Sequence, residues 1–230
     1  MGYISLKGIR KCFDDGREQE RKVLDGLDFD IEQGDFVAVT GVSGTGKTTL
    51  LNILGTLLKP DEGTYIIGGT TVDYSDEAKL QQLRNREIGF MFQDYWLLPQ
   101  LTAWQNILLP VLAQQKVISS SYTEWAQKLV ELMDIHLVKD QKPHTLSGGE
   151  KSRTAMCRAL IMRPSLLLAD EPTGQLDNQH AQELGNLLQK VNQQLGTTIV
   201  MVTHSEKLAL MANSIYKLEN GRLNILNNQI

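Results

Sequence analysis

The sequence predicts an α/β fold: a core with a largely parallel sheet, an antiparallel β part near the start, and an inserted helical subdomain. Three observations carry that expectation. Short apolar runs such as Phe36-Val37-Ala38-Val39 and Leu166-Leu167-Leu168-Ala169 have the composition of strands buried on both faces, and helix-like stretches stand between them. From Asp94 to about Thr145 the apolar residues fall at helical spacing, through Trp104, Ile107 and Leu108 and then Trp125, Leu129, Leu132 and Met133. Finally, the glycine-rich stretch Gly41-Val42-Ser43-Gly44-Thr45-Gly46-Lys47-Thr48-Thr49 follows the first apolar run and precedes helix-like Leu50-Leu51-Asn52-Ile53-Leu54.

That stretch fits G-x-x-x-x-G-K-[ST], a phosphate-binding loop in the strand–loop–helix setting it requires. Glycines lack Cβ, so the backbone can curl until successive N–H groups point at a phosphate chain. The following helix adds its unpaired N–H groups and the positive end of its dipole. Lys47 would reach the β- and γ-phosphates and the Thr48 hydroxyl would ligate Mg²⁺. A glycine-rich turn that binds nothing needs neither the lysine, the hydroxyl nor both flanks. The fold class is therefore an α/β P-loop NTPase (RecA-like) core. The expected nucleotide contacts are Gly41, Ser43, Gly44, Thr45, Gly46, Lys47, Thr48 and Thr49.

In chain order, residues 3–9 alternate as a half-buried strand does, and Asp14 to Lys22 read as an exposed, charged hairpin loop. Val23, Leu24, Leu27, Phe29 and Ile31 mark the next strand region, and Gln33-Gly34-Asp35 turns into the buried strand before the loop. After the first helix, Lys59 to Gly63 form a turn, and Thr64–Ile67, Gly68-Gly69 and Thr70–Val72 a short hairpin. Ser75 is placed to cap a polar helix with Asp76 and Glu77 in its first turn. Ile88–Phe92 is a strand ending at Gln93. A helix through Ala155, Ala159 and Leu160 is stopped by Pro164, another spans roughly Ala181 to Leu195, and Thr198–His204 is a strand. Two closing strands surround the turn Glu219-Asn220-Gly221.

The 230 residues can bury a sizeable core, and a net charge of −4 argues against a nucleic-acid surface. Cys12 and Cys157 form no metal or redox motif and suit reduced thiols. No apolar run approaches the roughly 20 residues that span a bilayer, the start is no signal peptide, and Leu6 breaks a myristoylation motif. A soluble protein is expected.

With the Q-loop Gln93, the signature Leu146-Ser147-Gly148-Gly149-Glu150, the Walker B strand ending Asp170-Glu171, the D-loop Gly174-Gln175-Leu176-Asp177 and the switch His204, the sequence resembles the ATP-binding subunits of ABC transporters along nearly its whole length. Ile88–Gln93, Leu98–Thr102, Asn106–Pro110 and Ala169–Gly174 are similar to the lipoprotein-release, macrolide-export and antimicrobial-peptide-export branch. Lys151-Ser152 depart from that branch's usual Gln-Gln, and Gln175 from its Asn or Ala. The resemblance implies one ABC ATPase domain over 1–230, with 1–93 and 155–230 as nucleotide-binding core and β part and 94–154 as the helical signature subdomain. It implies ATP and Mg²⁺, an integral-membrane permease partner, an ATP-bound homodimer, no nucleic acid, and a peripheral place on the cytoplasmic face of the cell membrane through the permease. Lipoprotein, peptide or macrolide-type cargo is expected.

Asp170, ending an apolar strand, suits Mg²⁺, and Glu171 the general base that polarises the attacking water; an ordinary strand-end pair of acids is the bland alternative. His204 matches the histidine that bonds the γ-phosphate, Gln93 meets Mg²⁺ or water, and Phe13 stacks on adenine unless it is a core residue. Ser147, Gly148 and Gly149 open a helix and so form a second anion site, sensible if it serves a neighbour's ATP across a head-to-tail pair with Asp177 at the seam. Tyr95 and Trp96 line either the permease groove or the subdomain core, with Leu97 and Leu98 assigned to the core. Competing classes are a soluble ABC ATPase without a permease and a small-molecule P-loop kinase; the kinase would lack the signature helix.

Overall fold

The computed structural model describes residues 2–14, 20–115 and 117–228. In chain order come β1 (Ile4–Asp14), β2 (Glu20–Ile31), β3 (Phe36–Thr40), α1 (Lys47–Leu54), β4 (Glu62–Ile67), β5 (Thr70–Thr71), α2 (Glu77–Arg86) and β6 (Ile88–Met91). Then follow α3 (Ala103–Gln114), α4 (Ser120–Leu132), a 3-10 turn Pro143–Thr145, α5 (Gly148–Leu160), β7 (Leu166–Asp170), α6 (Asn178–Leu195), β8 (Thr198–Val202), α7 (Glu206–Ala209), β9 (Ser214–Glu219) and β10 (Arg222–Asn228).

Two sheets result. The larger runs β10-β9-β3-β8-β7-β6, parallel except for the β9–β10 hairpin at its edge. The smaller, β2-β1-β4-β5, is antiparallel throughout. Side chains alternate across a strand, so each central strand feeds two cores. Phe36, Ala38, Leu167, Ala169, Ile199 and Met201 face the helices α3 to α6. Val37, Val39, Leu166, Leu168, Val200 and Val202 face α1 and the smaller sheet. Each large aliphatic side chain taken from water contributes about 1.5–3 kcal/mol. Tyr65 is buried in this second core and donates its hydroxyl to Leu54 O at 2.9 Å, which holds β4 against the end of α1.

Several expectations shift on contact with the structure. Arg21 and Lys22 belong to β2, paired with Phe13 and Cys12; residues 15–19 of the expected loop lie outside the described ones. Asp76, not Ser75, caps α2, accepting from Lys79 N, because Ser75 is drawn onto Asp73. α6 starts at Asn178, since Asp177 supplies a cap earlier than the apolar pattern signals. The division expected at 154/155 falls inside α5. Leu98 is 43% exposed rather than core, and Tyr95 is buried while Trp96 is 61% exposed. Buried Asn106 enforces that arrangement: it accepts from Leu98 N and donates to the carbonyls of Leu98, Leu101 and Thr102, pinning the turn before α3.

Candidate nucleotide site

β3 delivers the phosphate loop and α1 receives it. Gly46 caps α1 with φ +103°, and a Cβ there would stand 2.5 Å from Val23 Cγ1, so loop and β2 touch where only glycine fits. The loop opens on a cavity of about 350 Å³ lined by Phe13, Arg21, Ser43, Gly44, Lys47, Thr48, Thr49, Glu171 and His204, among others. Gly41 and Thr45 stand behind it: Thr45 donates its hydroxyl to Val42 O at 2.9 Å and shapes the loop. Lys47 is 5% exposed and donates to Gly41 O and Val42 O, each at 2.9 Å. Burial lowers its pKa, against the pull of the carboxylates of Glu171 and Asp170. Its charge is thus held where phosphate oxygens compete with two carbonyls for it.

Two adjacent acids end the site from below. Burial raises the carboxyl of Asp170, the charge of Glu171 adds to the rise, and the Thr48 hydroxyl and Lys47 oppose it. Glu171 leaves the strand in a left-handed conformation, φ +44°, with its N–H on Val202 O at 3.0 Å. His204, just past β8, places Nε2 2.8 Å from Glu171 Oε1; a carboxylate only accepts, so the ring donates there. Phe13 is 42% exposed, which removes the core reading, and Lys11 Nζ lies 5.7 Å from its ring centroid.

Arg21 is the contact that sequence reasoning placed in a loop. It pairs across the strands with Phe13 and donates Nη2 to Gly44 O at 2.9 Å, so the aromatic and the phosphate loop share a brace. The remaining expected residues line no part of this cavity. Gln93 is exposed, its amide against Gly174. Ser147 caps α5 through a capping box with Glu150, leaving the first-turn N–H groups of Gly148 and Gly149 without helical partners. Asp177 caps α6, accepting from the N–H groups of Gln179 and His180 and lying 2.7 Å from His180 Nδ1; those bonds hold its carboxyl below the ordinary range. The D-loop is packed directly on the signature: a Cβ on Gly148 would stand 3.3 Å from Leu176 Cδ2, and one on Gly149 would stand 2.9 Å from the His180 ring of α6. Gln175 donates to Asp94 at 2.7 Å, so the residue that departs from the branch pattern fastens the D-loop to the Q-loop.

Residues 24–174 match the family model described as ABC transporter. The chain belongs to that family. It is 41% identical over 220 residues to the lipoprotein-releasing system ATP-binding protein LolD of Bacteroides thetaiotaomicron, covering 96% of this chain and 98% of that one. It is also 41% identical to the macrolide export ATP-binding/permease protein MacB of Bdellovibrio bacteriovorus, of which it spans 33%. Its fold matches the ATP-binding cassette MJ0796, solved as a dimer in a post-hydrolysis state bound to ADP and Pi, with TM-score 0.89, 33% identity and 99% of both chains covered. This ABC ATPase binds ATP with Mg²⁺ and hydrolyses it. The residues fit the metal: a half-buried carboxyl lifted by desolvation, with a threonine hydroxyl beside it, is a place that a divalent cation relieves. Among the described residues no three His, Cys, Asp or Glu form a metal cage.

On the other side of β6 the cassette carries a shallow groove of about 350 Å³. Phe90, Phe92 and Trp96 stack along it with successive ring centroids 4.3 Å apart, and Pro110, Met162, Arg84 and Arg158 are among the other residues that line it.

Proposed function

We propose that this ABC ATPase drives a separate integral-membrane permease through an ATP-dependent, head-to-tail pair of cassettes. One observation carries the pairing. Glu171 and His204 face the phosphate cavity, whereas the anion-seeking helix start at Ser147–Gly149 lines no part of it. A second chain turned head to tail supplies that helix start to the first chain's ATP, and MJ0796 was solved as a dimer. Relatives named for lipoprotein release and macrolide export support a permease partner and lipoprotein, peptide or macrolide-type cargo. The cassette then sits peripherally on the cytoplasmic face of the membrane. Among the described residues no helix is long and apolar enough to cross a membrane itself. The division is a single ATPase domain whose helical subdomain occupies 94–154, with 1–93 and 155–230 as the nucleotide core, and α5 runs across the boundary as an element common to both parts.

In this reading adenine stacks on Phe13 and the phosphates lie along 41–49. Lys47 exchanges its carbonyl partners for β/γ-phosphate oxygens. Thr48, Asp170 and Gln93 hold Mg²⁺, which supplies charge neutralisation at the phosphates. Glu171 accepts a proton from the water whose oxygen bonds to the γ-phosphorus, while the bond to the β,γ-bridging oxygen breaks and ADP leaves with phosphate. His204, bonded to Glu171, orients base and γ-phosphate together. Asp177 lies at the seam between chains. The aromatic groove seats the permease's cytoplasmic segment.

The test joins chemistry to assembly. Glu171→Gln is nearly isosteric but cannot take the proton, so ATP binding persists, turnover falls by about 10²- to 10⁴-fold, and an ATP-dependent dimer accumulates in light scattering. Adding Ser147→Arg abolishes that dimer. A monomer throughout with near wild-type turnover refutes both the base and the pair.

A further inference from the structure

The groove holds a cation whose partners are incomplete. Arg158, in the last turn of α5, is half-buried and donates Nη1 to Trp96 O and Nη2 to Tyr95 O, each at 2.5 Å. Those carbonyls belong to consecutive left-handed residues, with φ +56° at Tyr95 and +45° at Trp96, a backbone that costs non-glycine residues roughly 1–3 kcal/mol each. The guanidinium therefore holds a strained turn in place. A guanidinium has five N–H donors, and among the described residues these two bonds are the ones Arg158 makes. Among the described residues no carboxylate forms an ion pair with Arg158, and none lines the groove. Arg84, the other groove cation, is already bonded to Glu77 and to Thr56 O at 3.1 Å. Burial also lowers the pKa of Arg158, the mark of a charge short of compensation.

We infer that the permease segment seated in the groove brings a carboxylate, Asp or Glu, that closes on Arg158 while its apolar residues pack on the Phe90–Phe92–Trp96 stack. The inference rests on the docking reading above and adds the chemistry that recognises the partner. A carboxylate takes two parallel bonds from a planar guanidinium, which an amide or hydroxyl cannot match. Apolar contact alone would leave Arg158 more deeply buried and still unpaired. α5 carries this consequence further, because the same helix begins with the signature Ser147–Gly149. The carboxylate would therefore grip the far end of the rod that presents the second anion site.

The experiment uses the full chain and the permease subunit that co-purifies with it in detergent. Each Asp and Glu in the permease's cytoplasmic segments is changed to Asn or Gln, and affinity is measured for wild-type cassette and for Arg158→Lys. One neutralised carboxylate should weaken binding about thirtyfold or more, Arg158→Lys should weaken it similarly, and the pair together should be no weaker than either alone. Multiplying losses, or no carboxylate that matters, overturns the inference. If Arg158→Lys does not fold, the permease scan against wild-type cassette decides alone. Trp96→Ala separates the two levels: weaker binding there with an indifferent carboxylate scan overturns the carboxylate and keeps the docking. No binding by wild-type cassette overturns both.

Discussion

Phe13→Ala isolates the recognition of the base. Phe13 sits near the end of β1, 42% exposed, with its ring bordering the cavity and Arg21 opposite it on β2. Removing an exposed edge side chain forfeits a cross-strand pair worth about 0.2–1 kcal/mol, so the folded state should be barely affected. A core phenylalanine would instead cost roughly 3–5 kcal/mol. Stacking of a base on an aromatic ring contributes about 1–3 kcal/mol, which is a factor of roughly 5 to 150 in affinity. Calorimetric titration with Mg²⁺ should therefore show ATP binding to Phe13→Ala weakened within that range, and Phe13→Tyr close to wild type. Inorganic triphosphate, which has no base, should bind all three proteins alike. Equal ATP affinities, or a melting temperature lowered as for a core deletion, would refute the stacking role.

Lys47→Ala should abolish measurable ATP binding by titration, because a cation buried under the phosphate loop is removed; retained micromolar affinity would refute the loop's assignment. Asp170→Asn should raise the melting temperature of nucleotide-free protein at neutral pH. A carboxyl raised above its ordinary value of 3.8 in the folded state favours folding fully below that value, and loses that contribution as pH rises through the folded one. The gain should shrink toward acid pH, and ATP affinity should lose its Mg²⁺ dependence; a destabilised variant at neutral pH would refute the argument. Gly149→Ala pits a helix-propensity gain of about 0.5–1 kcal/mol against a Cβ 2.9 Å from the His180 ring. The single variant should melt lower than wild type, and the same change should turn stabilising in a His180→Ala background.

The phosphate loop was legible because its chemistry is local: backbone curl, lysine and hydroxyl lie within one short stretch. The strands followed from their apolar runs for the same reason. Arg21 was not legible, since its role depends on the register that sets it opposite Phe13, and its charged neighbours read as a loop. The start of α2 was missed because Asp73 draws off the hydroxyl of Ser75, a competition that composition does not display. Trp96 and Tyr95 could not be separated from sequence: adjacent aromatics part ways only because both sit in left-handed backbone and Arg158 holds them there. Gln175 stood out in the sequence as a departure, but its bond to Asp94 depends on a contact between residues 81 positions apart.

Strands β3, β7 and β8 are walls common to both hydrophobic cores, each contributing alternate residues to either side. Neither core can melt and leave the other with an intact boundary. Heat or denaturant should thus find one transition across the helical and antiparallel halves alike, and amide exchange in α3 and in β1 should share the same deepest protection. The cassette has no weak half to lose.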